Sequence, residues 1–228
     1  QNAYDIAAVA LSALQFNISC VGNLTGTLGE SQIAKSVIGN YETSLNMIST
    51  KYAASLQSGE GTQSYNSFAS KHQVLLGPFQ DELGVVKEIS VLDIVTTEAA
   101  PVVDLLLPSN MATVLGIAPM TDITLDFSVF DHAPVVDKMT PISPLVSVAL
   151  YNGNAEIDVS GLTTPVEVTV PLDTTSLCEA DKARFTGYGK CMHWDTAAQE
   201  YKSDGCTARQ FIGTDRVTCL CDHLTSFM

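Results

Sequence analysis

Basic residues are scarce in this chain. Of its 228 residues only 11 are Lys or Arg, against 25 that are Asp or Glu, and the formal net charge at pH 7 is −14. A surface with this balance repels phosphate backbones and anionic membrane surfaces and favours solubility. Nucleic acid is therefore not expected as a partner.

Long apolar runs are missing as well. The longest candidates, residues 9–14 and 102–107, are far shorter than the roughly 20 apolar residues that a membrane helix needs. No basic segment precedes an apolar stretch near Gln1, so we expect a mature chain whose signal peptide has been removed. The hydrophobic fraction is nevertheless 46%, which at this length suffices for a packed core.

Motifs for common enzyme chemistry are absent from the sequence too. It contains no phosphate-cradling Gly-rich loop, no Gly-x-Ser-x-Gly elbow and no defensible pair of catalytic carboxylates. We therefore expect no cofactor, and we do not expect the protein to be an enzyme that acts on an external substrate.

The hydrophobic periodicity divides the chain into three regions. Residues 1–57 have apolar side chains every three or four positions, which predicts helices, and residues 58–73 are rich in Ser and other polar residues, with glycines at 59 and 61, which predicts a linker. From residue 74 the period changes to two, most clearly over 123–129 and 166–170, as in half-buried strands. We predict an α+β order with a short helical N-terminal part, dominated by an all-β antiparallel sandwich over residues 74–228.

Cysteine content and sequons indicate the compartment. Six cysteines are an even number, and four of them lie close together near the C-terminus, which favours disulfides and an oxidising environment. Asn17 and Asn23 each begin an Asn-x-Ser/Thr triplet within a predicted loop, so we expect both to be glycosylated. Together these features predict a secreted, extracellular or cell-surface protein.

Residues 190–228 carry the most specific pattern in the chain. It contains Cys191-x-x-Trp194, Gly205-Cys206, Cys219-x-Cys221, His223-Leu224-Thr225 and Phe227. With these residues the segment resembles the GPS motif, the autoproteolysis site that ends the GAIN domain of adhesion receptors and polycystin-1-like proteins. Tyr201 stands where the family has a second tryptophan, which keeps an aromatic side chain there. Residues 144–166 also resemble the pair of strands that precedes GPS motifs.

The resemblance also implies a disulfide framework. From the residues alone, four cysteines allow three different pairings, so spacing cannot decide among them. The pairs that the resemblance implies are Cys191–Cys219 and Cys206–Cys221, which leaves Cys20 and Cys178 for a third bridge, Cys20–Cys178.

Zinc is the alternative for these residues. Cys219, Cys221 and His223 lie close together in the sequence, and Cys206 could serve as a fourth ligand. Structural zinc sites usually use Cys-x-x-Cys pairs, however, and the sequons favour an oxidising compartment. We therefore expect disulfides and no metal.

The His-Leu-Thr triplet carries the predicted chemistry. His223 and Thr225 are two residues apart, so on an extended strand their side chains would share one face. The resemblance implies that His223 acts as a general base on the Thr225 hydroxyl, which attacks the Leu224 carbonyl carbon. A tight, strained bend at this junction would assist the reaction. The alternative is that these are ordinary strand residues in a domain that has lost the reaction.

Two functions follow from these expectations. The first is an extracellular GAIN/GPS module of a cell-surface protein, which cleaves itself once between Leu224 and Thr225 and retains the terminal strand non-covalently. In the family a membrane segment follows such a module, here beyond Met228. The second is an uncleaved structural or adhesive subunit of an extracellular coat or filament. Protein partners or self-association are expected in both cases, and His72, His132 and His193 are expected to have no functional role.

Overall fold

The computed structural model describes residues 62–66, 70–79, 103–130, 141–173, 189–195, 197–198, 200–210 and 216–228. The predicted helical region 1–57 lies outside these residues. So do the glycosylation candidates Asn17 and Asn23 and the proposed third bridge between Cys20 and Cys178.

The described residues form two antiparallel sheets and one short helix. The strands are β1 (Thr62–Asn66), β2 (Ser70–Pro78), β3 (Asp104–Leu106), β4 (Asp122–Phe130), β5 (Leu145–Asn152), β6 (Ala155–Glu156), β7 (Val166–Pro171), β8 (His193–Asp195), β9 (Glu200–Lys202), β10 (Cys206–Gln210), β11 (Arg216–Cys221) and β12 (Ser226–Phe227), and the helix is α1 (Met111–Val114). The large sheet has the strand order β1-β2-β4-β5-β12-β8-β9, with β6 paired to β5, and the small sheet has the order β10-β11-β7-β3.

The core lies between the two sheets. Alternate residues of β4 and β5 meet across the strands of the large sheet, as in the pair Phe127 and Val148. In the small sheet Val170 faces Val217 across β7 and β11. All four side chains belong to one buried apolar cluster, which joins both sheets. The predicted antiparallel sandwich is thus confirmed, since period-two alternation places one apolar face of each sheet inward.

The predicted linker over 58–73 is wrong where the structure describes it. Residues 62–66 form β1, and residues 70–73 begin β2, which pairs with β4 along its whole length from Ser70 to Pro78. Ser, Thr and Asn are typical of loops, but backbone groups of any residue can join a ladder when a neighbouring strand offers partners. Composition therefore gave the wrong answer where tertiary pairing decided the structure.

Strand β4 also differs from the prediction of a half-buried strand. Its second face consists of Thr124, Asp126 and Ser128, and each of these is at most 3% exposed. Ser128 Oγ donates a hydrogen bond of 3.2 Å to Asp126 Oδ1, which satisfies part of this buried polar row. Strand β7 does show the expected alternation, with buried residues at every second position.

The last strand of the chain lies inside the large sheet. β12 pairs with β5 on one side, through Ser226 and Phe227, and with β8 on the other, through Phe227 and His193. The chain therefore crosses from β11 of the small sheet to β12 of the large sheet within four residues, 222–225. Across the described residues we find no helix with the length and apolarity that a membrane span requires.

Candidate functional site

Residues 222–225 form a bend that links the two sheets, and we call this segment the junction. The predicted extended strand through His223 and Thr225 is wrong, because the final strand begins only at Ser226. A crossing between two stacked sheets cannot continue as a straight strand in either of them. Backbone hydrogen bonds hold the junction at both ends, from Asp222 N to Gly205 O (2.9 Å), from Leu224 N to Val159 O (3.1 Å) and from Val148 N to Thr225 O (3.2 Å).

Two disulfides surround the junction. Cys191, which precedes β8, is bonded to Cys219 of β11 with an S–S distance of 2.02 Å, so this bridge joins the large sheet to the small one. Cys206 is bonded to Cys221, its direct partner in the ladder between β10 and β11. These are the pairs that the resemblance implied. Every cysteine of the alternative zinc site therefore has its sulfur in a disulfide, and that set offers no thiolate.

His223 is held in a defined orientation. Its Nδ1 lies 2.8 Å from Asp222 Oδ1, and a carboxylate can only accept, so the Nδ1 proton is donated; in the neutral ring this tautomer leaves the lone pair on Nε2. The ring packs edge-on against His193 at a centroid distance of 4.3 Å and lies 5.8 Å from the Phe227 ring. Nε2 is buried and has no hydrogen-bond partner. His223 directly precedes Leu224 in the chain and thus presents a ring nitrogen without a partner one residue before the Leu224–Thr225 bond.

Thr225 is not hydrogen-bonded to His223 in this state. Its Oγ1 donates to the backbone oxygen of Trp194 at 3.3 Å. Leu224 and Thr225 have neither a cis peptide bond nor a positive φ, so the expected strain is absent from these torsions. The structure brings the base and the nucleophile into one junction, with the hydroxyl turned towards a different acceptor.

Gly205 makes room for the oriented histidine. Its φ is +72°, a value that residues with a side chain rarely adopt. A Cβ at this position would lie 2.9 Å from His223 Nδ1 and would collide with Asp222 Oδ1. Gly205 is therefore required, because the Asp222 carboxylate and the His223 imidazole leave no room for a side chain at this position.

His193 is a member of the site that the sequence did not indicate. Its Nδ1 is buried and has no partner. Burial lowers the pKa of His193 below its ordinary value of 6.5, and the neighbouring His223 and Lys202 act in the same direction, while Asp204 and Asp195 oppose them. The ring is therefore neutral at pH 7. Its position between Cys191 and Trp194 in the motif was the available signal, but only the fold places it against His223.

An aromatic pair and an ion pair support this side of the site. Trp194 and Tyr201 face each other across β8 and β9, with ring centroids 5.1 Å apart at 67°, and both are buried. Asp195 accepts a hydrogen bond of 2.6 Å from Lys202 Nζ and another of 2.8 Å from Ala198 N. The Lys202 hydrogen bond, followed by that from Ala198, lowers the pKa of Asp195 to about 2. These contacts fix the β8–β9 turn that carries His193 and the Trp194 carbonyl.

One cluster in the described residues has the donor atoms for a metal ion. A ring nitrogen of His193, a ring nitrogen of His223 and the sulfur of Cys206 all lie within 4.8 Å of one another. Cys206 is in a disulfide, so the two imidazoles are the effective donors.

Comparison with known proteins agrees with this arrangement. The family model GPS, described as GAIN subdomain B, matches residues 108–228, which is more than half of the chain. A search of curated proteins found no match. A solved structure of the full extracellular region of zebrafish Gpr126/Adgrg6 is similar, with a TM-score of 0.54 and 16% identity, over 96% of this chain and 28% of that one. At this identity the likeness concerns the fold alone, and our chain spans less than a third of that region. The family match shows that the chain belongs to the GPS family and carries a GAIN subdomain B.

Proposed function

We propose that this chain is the extracellular GAIN/GPS module of a cell-surface protein and that it cleaves itself between Leu224 and Thr225. The observation that carries the proposal is the orientation and hydrogen bonding of His223. Asp222 accepts a hydrogen bond from one ring nitrogen, while the other nitrogen is buried and has no partner. The hydroxyl-bearing residue Thr225 follows His223 by two positions in the chain. A histidine ordered in this way is suited to accept a proton from that hydroxyl. The family and the two disulfides indicate the extracellular or cell-surface location.

The reaction begins with a movement of Thr225. Its hydroxyl leaves the Trp194 carbonyl by rotation about Cα–Cβ, a change between staggered rotamers, and meets His223 Nε2. As Nε2 takes the hydroxyl proton, Oγ1 bonds to the Leu224 carbonyl carbon and the carbonyl π electrons move onto its oxygen. In catalytic sites at rest, the hydrogen bond between nucleophile and base is often long or poorly aligned, and it tightens only as the transition state is approached.

Collapse of that intermediate breaks the peptide bond. The carbonyl re-forms, the Leu224–Thr225 C–N bond breaks, and the imidazolium returns its proton to the Thr225 nitrogen, which becomes an amine. The product is an ester between Leu224 and Thr225 Oγ1. Water then hydrolyses the ester, which frees the Leu224 carboxylate and restores the Thr225 hydroxyl. Each molecule can react only once, because the cleaved bond belongs to the protein itself.

The cleaved strand would stay in place. Ser226, Phe227 and Met228 are buried, and β12 is hydrogen-bonded between β5 and β8. Met228 also exchanges two backbone hydrogen bonds of 2.9 Å with Met192. Burial of the Phe227 side chain alone contributes about 1.5–3 kcal/mol. Cleavage would thus leave two fragments that remain associated without a covalent bond.

The test is the intact mass of the secreted protein under denaturing conditions. Wild type should give a species that ends at Leu224. Thr225→Ala should give none, while Thr225→Ser should cleave because the β-hydroxyl survives. His223→Ala should slow cleavage by about 10² to 10⁴, the usual contribution of general acid–base catalysis. Thr164→Ala, in an exposed turn, is the matched control and should cleave like wild type.

Two results would contradict the proposal. A wild-type protein that remains entirely at the full-length mass has no self-cleavage, and cleavage that persists in Thr225→Ala is the work of another protease. The first result would favour the alternative function, an uncleaved adhesive or structural subunit of an extracellular coat or filament. The hydrogen bond from Thr225 to the Trp194 carbonyl is the observation that supports this alternative, because the hydroxyl that would attack donates its proton to a different acceptor.

A further inference from the structure

His193 and His223 come from different elements and face each other in a partly buried position. His193 lies on β8, His223 lies in the junction, and their rings meet edge to face at 4.3 Å and 70°. Nδ1 of His193 and Nε2 of His223 are both buried and without a hydrogen-bond partner. A buried polar atom left without a partner costs about 1–3 kcal/mol. A ligand that satisfies both nitrogens at once would remove this cost.

The spacing of the two imidazole rings suits a metal ion. One nitrogen of each ring and Cys206 Sγ lie within 4.8 Å of one another. Zinc binds histidine nitrogen at about 2.0–2.1 Å, so two such ligands on a tetrahedral ion stand roughly 3.4 Å apart. Closing the site therefore requires the two nitrogens to approach each other by no more than about 1.4 Å. Neutral imidazole is a preferred ligand of late divalent metals, while the disulfide sulfur of Cys206 is a weak one.

The surroundings favour a cation at this position. Asp222 Oδ1 lies 2.8 Å from His223 Nδ1, which is the carboxylate support that metal-binding histidines usually have on their second nitrogen. The negative charges of Asp204 and Asp195 act on His193. Lys202 is the opposing positive charge, and its ammonium is paired with Asp195 at 2.6 Å. The net charge of −14 adds a general attraction for cations.

We propose that His193 Nδ1 and His223 Nε2 bind one zinc ion in the disulfide-bonded protein, with water completing the coordination. This site differs from the cysteine-based one considered above, because it uses His193 and needs no thiolate. One consequence rests on the proposed self-cleavage. Zinc on His223 Nε2 occupies the lone pair that would accept the Thr225 proton, so the metal would inhibit cleavage.

Calorimetric titration of Zn²⁺ alone into the Thr225→Ala protein tests the site without any contribution from cleavage. We expect one zinc per chain. His193→Ala should weaken binding at least about 10-fold, and Asp222→Asn should weaken it by about 10- to 100-fold through loss of the carboxylate that holds His223 Nδ1. His72→Ala is the matched histidine control and should bind like the parent, since three strands separate β2 from β8 in the sheet. Thermal unfolding and a free-thiol assay establish that each variant is folded with its disulfides intact.

Equal zinc affinity in the parent, His193→Ala and His193→Gln would overturn the proposal, and so would an absence of binding at millimolar zinc. Cleavage is measured separately, in wild type with zinc or with a chelator. Slower cleavage with zinc in wild type, but not in His193→Gln, supports the inhibitory role. If zinc binds while wild type never cleaves, even with a chelator, the proposed function fails and the metal site stands. If wild type cleaves and zinc does not bind, only the metal site fails.

Discussion

Gly205 shows how one backbone position can control the junction. It has a positive φ, and a Cβ there would meet Asp222 and His223. We expect Gly205→Ala to displace the imidazole and to slow cleavage by at least about 10², the lower end of the contribution of a general base. The torsion itself should cost about 1–2 kcal/mol of folding free energy. Intact mass over time and denaturant unfolding measure the two effects.

Gly153→Ala separates these two effects. Gly153 has a similar φ of +59°, but a Cβ there would meet no atom within 4 Å. This variant should therefore lose a similar amount of stability while cleaving at the wild-type rate. If both variants cleave equally well, the steric account of Gly205 is wrong.

At the residue scale, the sequence predicted which residues belong to the site better than it predicted how those residues contact one another. His223, Leu224 and Thr225 could be singled out because the reaction needs a base, a carbonyl and a β-hydroxyl in this order. The hydrogen bond from Thr225 to Trp194 could not be predicted, because it depends on β8 lying beside the junction. His193 was missed for the same reason, since its partner is 30 residues away in the chain.

Strand β12 is the element on which retention of the cleaved fragment depends. Phe227 is 1% exposed and belongs to the core cluster that joins the sheets. Phe227→Ala should lower the free energy of unfolding by about 3–5 kcal/mol, as expected for a large-to-small change in a core. After cleavage it should also release the terminal fragment under native conditions. Denaturant unfolding and native size-exclusion chromatography measure these two outcomes.

Leu106→Ala is the control for this change. Leu106 lies on the edge strand β3 and is 50% exposed, so its loss should alter stability by no more than about 0.5 kcal/mol. An equal effect of the two substitutions would mean that β12 is not an anchored part of the core.

Elements with strong alternation were the most predictable ones. Residues 123–129 and 166–170 were expected as strands, and they lie in β4 and β7. The strands in 62–66 and 70–73 were missed, because their polar sequence has no apolar period and the ladder with β4 is a tertiary contact. The burial of both faces of β4 was also not predictable. One face consists of the polar residues Thr124, Asp126 and Ser128, and such a face would be expected to be exposed to solvent.

For the whole molecule, the sequence predicted the sandwich but not how its halves are joined. Alternation shows that a strand has an inner face, but not which sheet it enters. The junction is the place where this matters, because its four residues leave the small sheet after Cys221 and enter the large sheet at Ser226. The same crossing explains why the junction is bent, and why His223 can meet His193 from the neighbouring strand.

The disulfide between Cys191 and Cys219 is a covalent cross-link between the two sheets. Removing it as Cys191→Ala/Cys219→Ala should lower the free energy of unfolding by about 3–4 kcal/mol, because a loop with a separation of 28 residues is no longer closed in the unfolded chain. Alanine is preferred to serine, since both sites are buried and a hydroxyl there would need a partner. Denaturant unfolding under non-reducing conditions measures the loss.

Removal of the other bridge, as Cys206→Ala/Cys221→Ala, is the matched comparison. Its separation of 15 residues predicts a similar loss of about 3 kcal/mol. The two variants should differ in cleavage, however, because Cys206 follows Gly205, whose carbonyl accepts the Asp222 amide. We expect the Cys206/Cys221 variant to cleave more slowly than the Cys191/Cys219 variant at equal folded fraction. A stability loss below about 1 kcal/mol for the Cys191/Cys219 pair would instead show that the apolar core alone holds the sheets together.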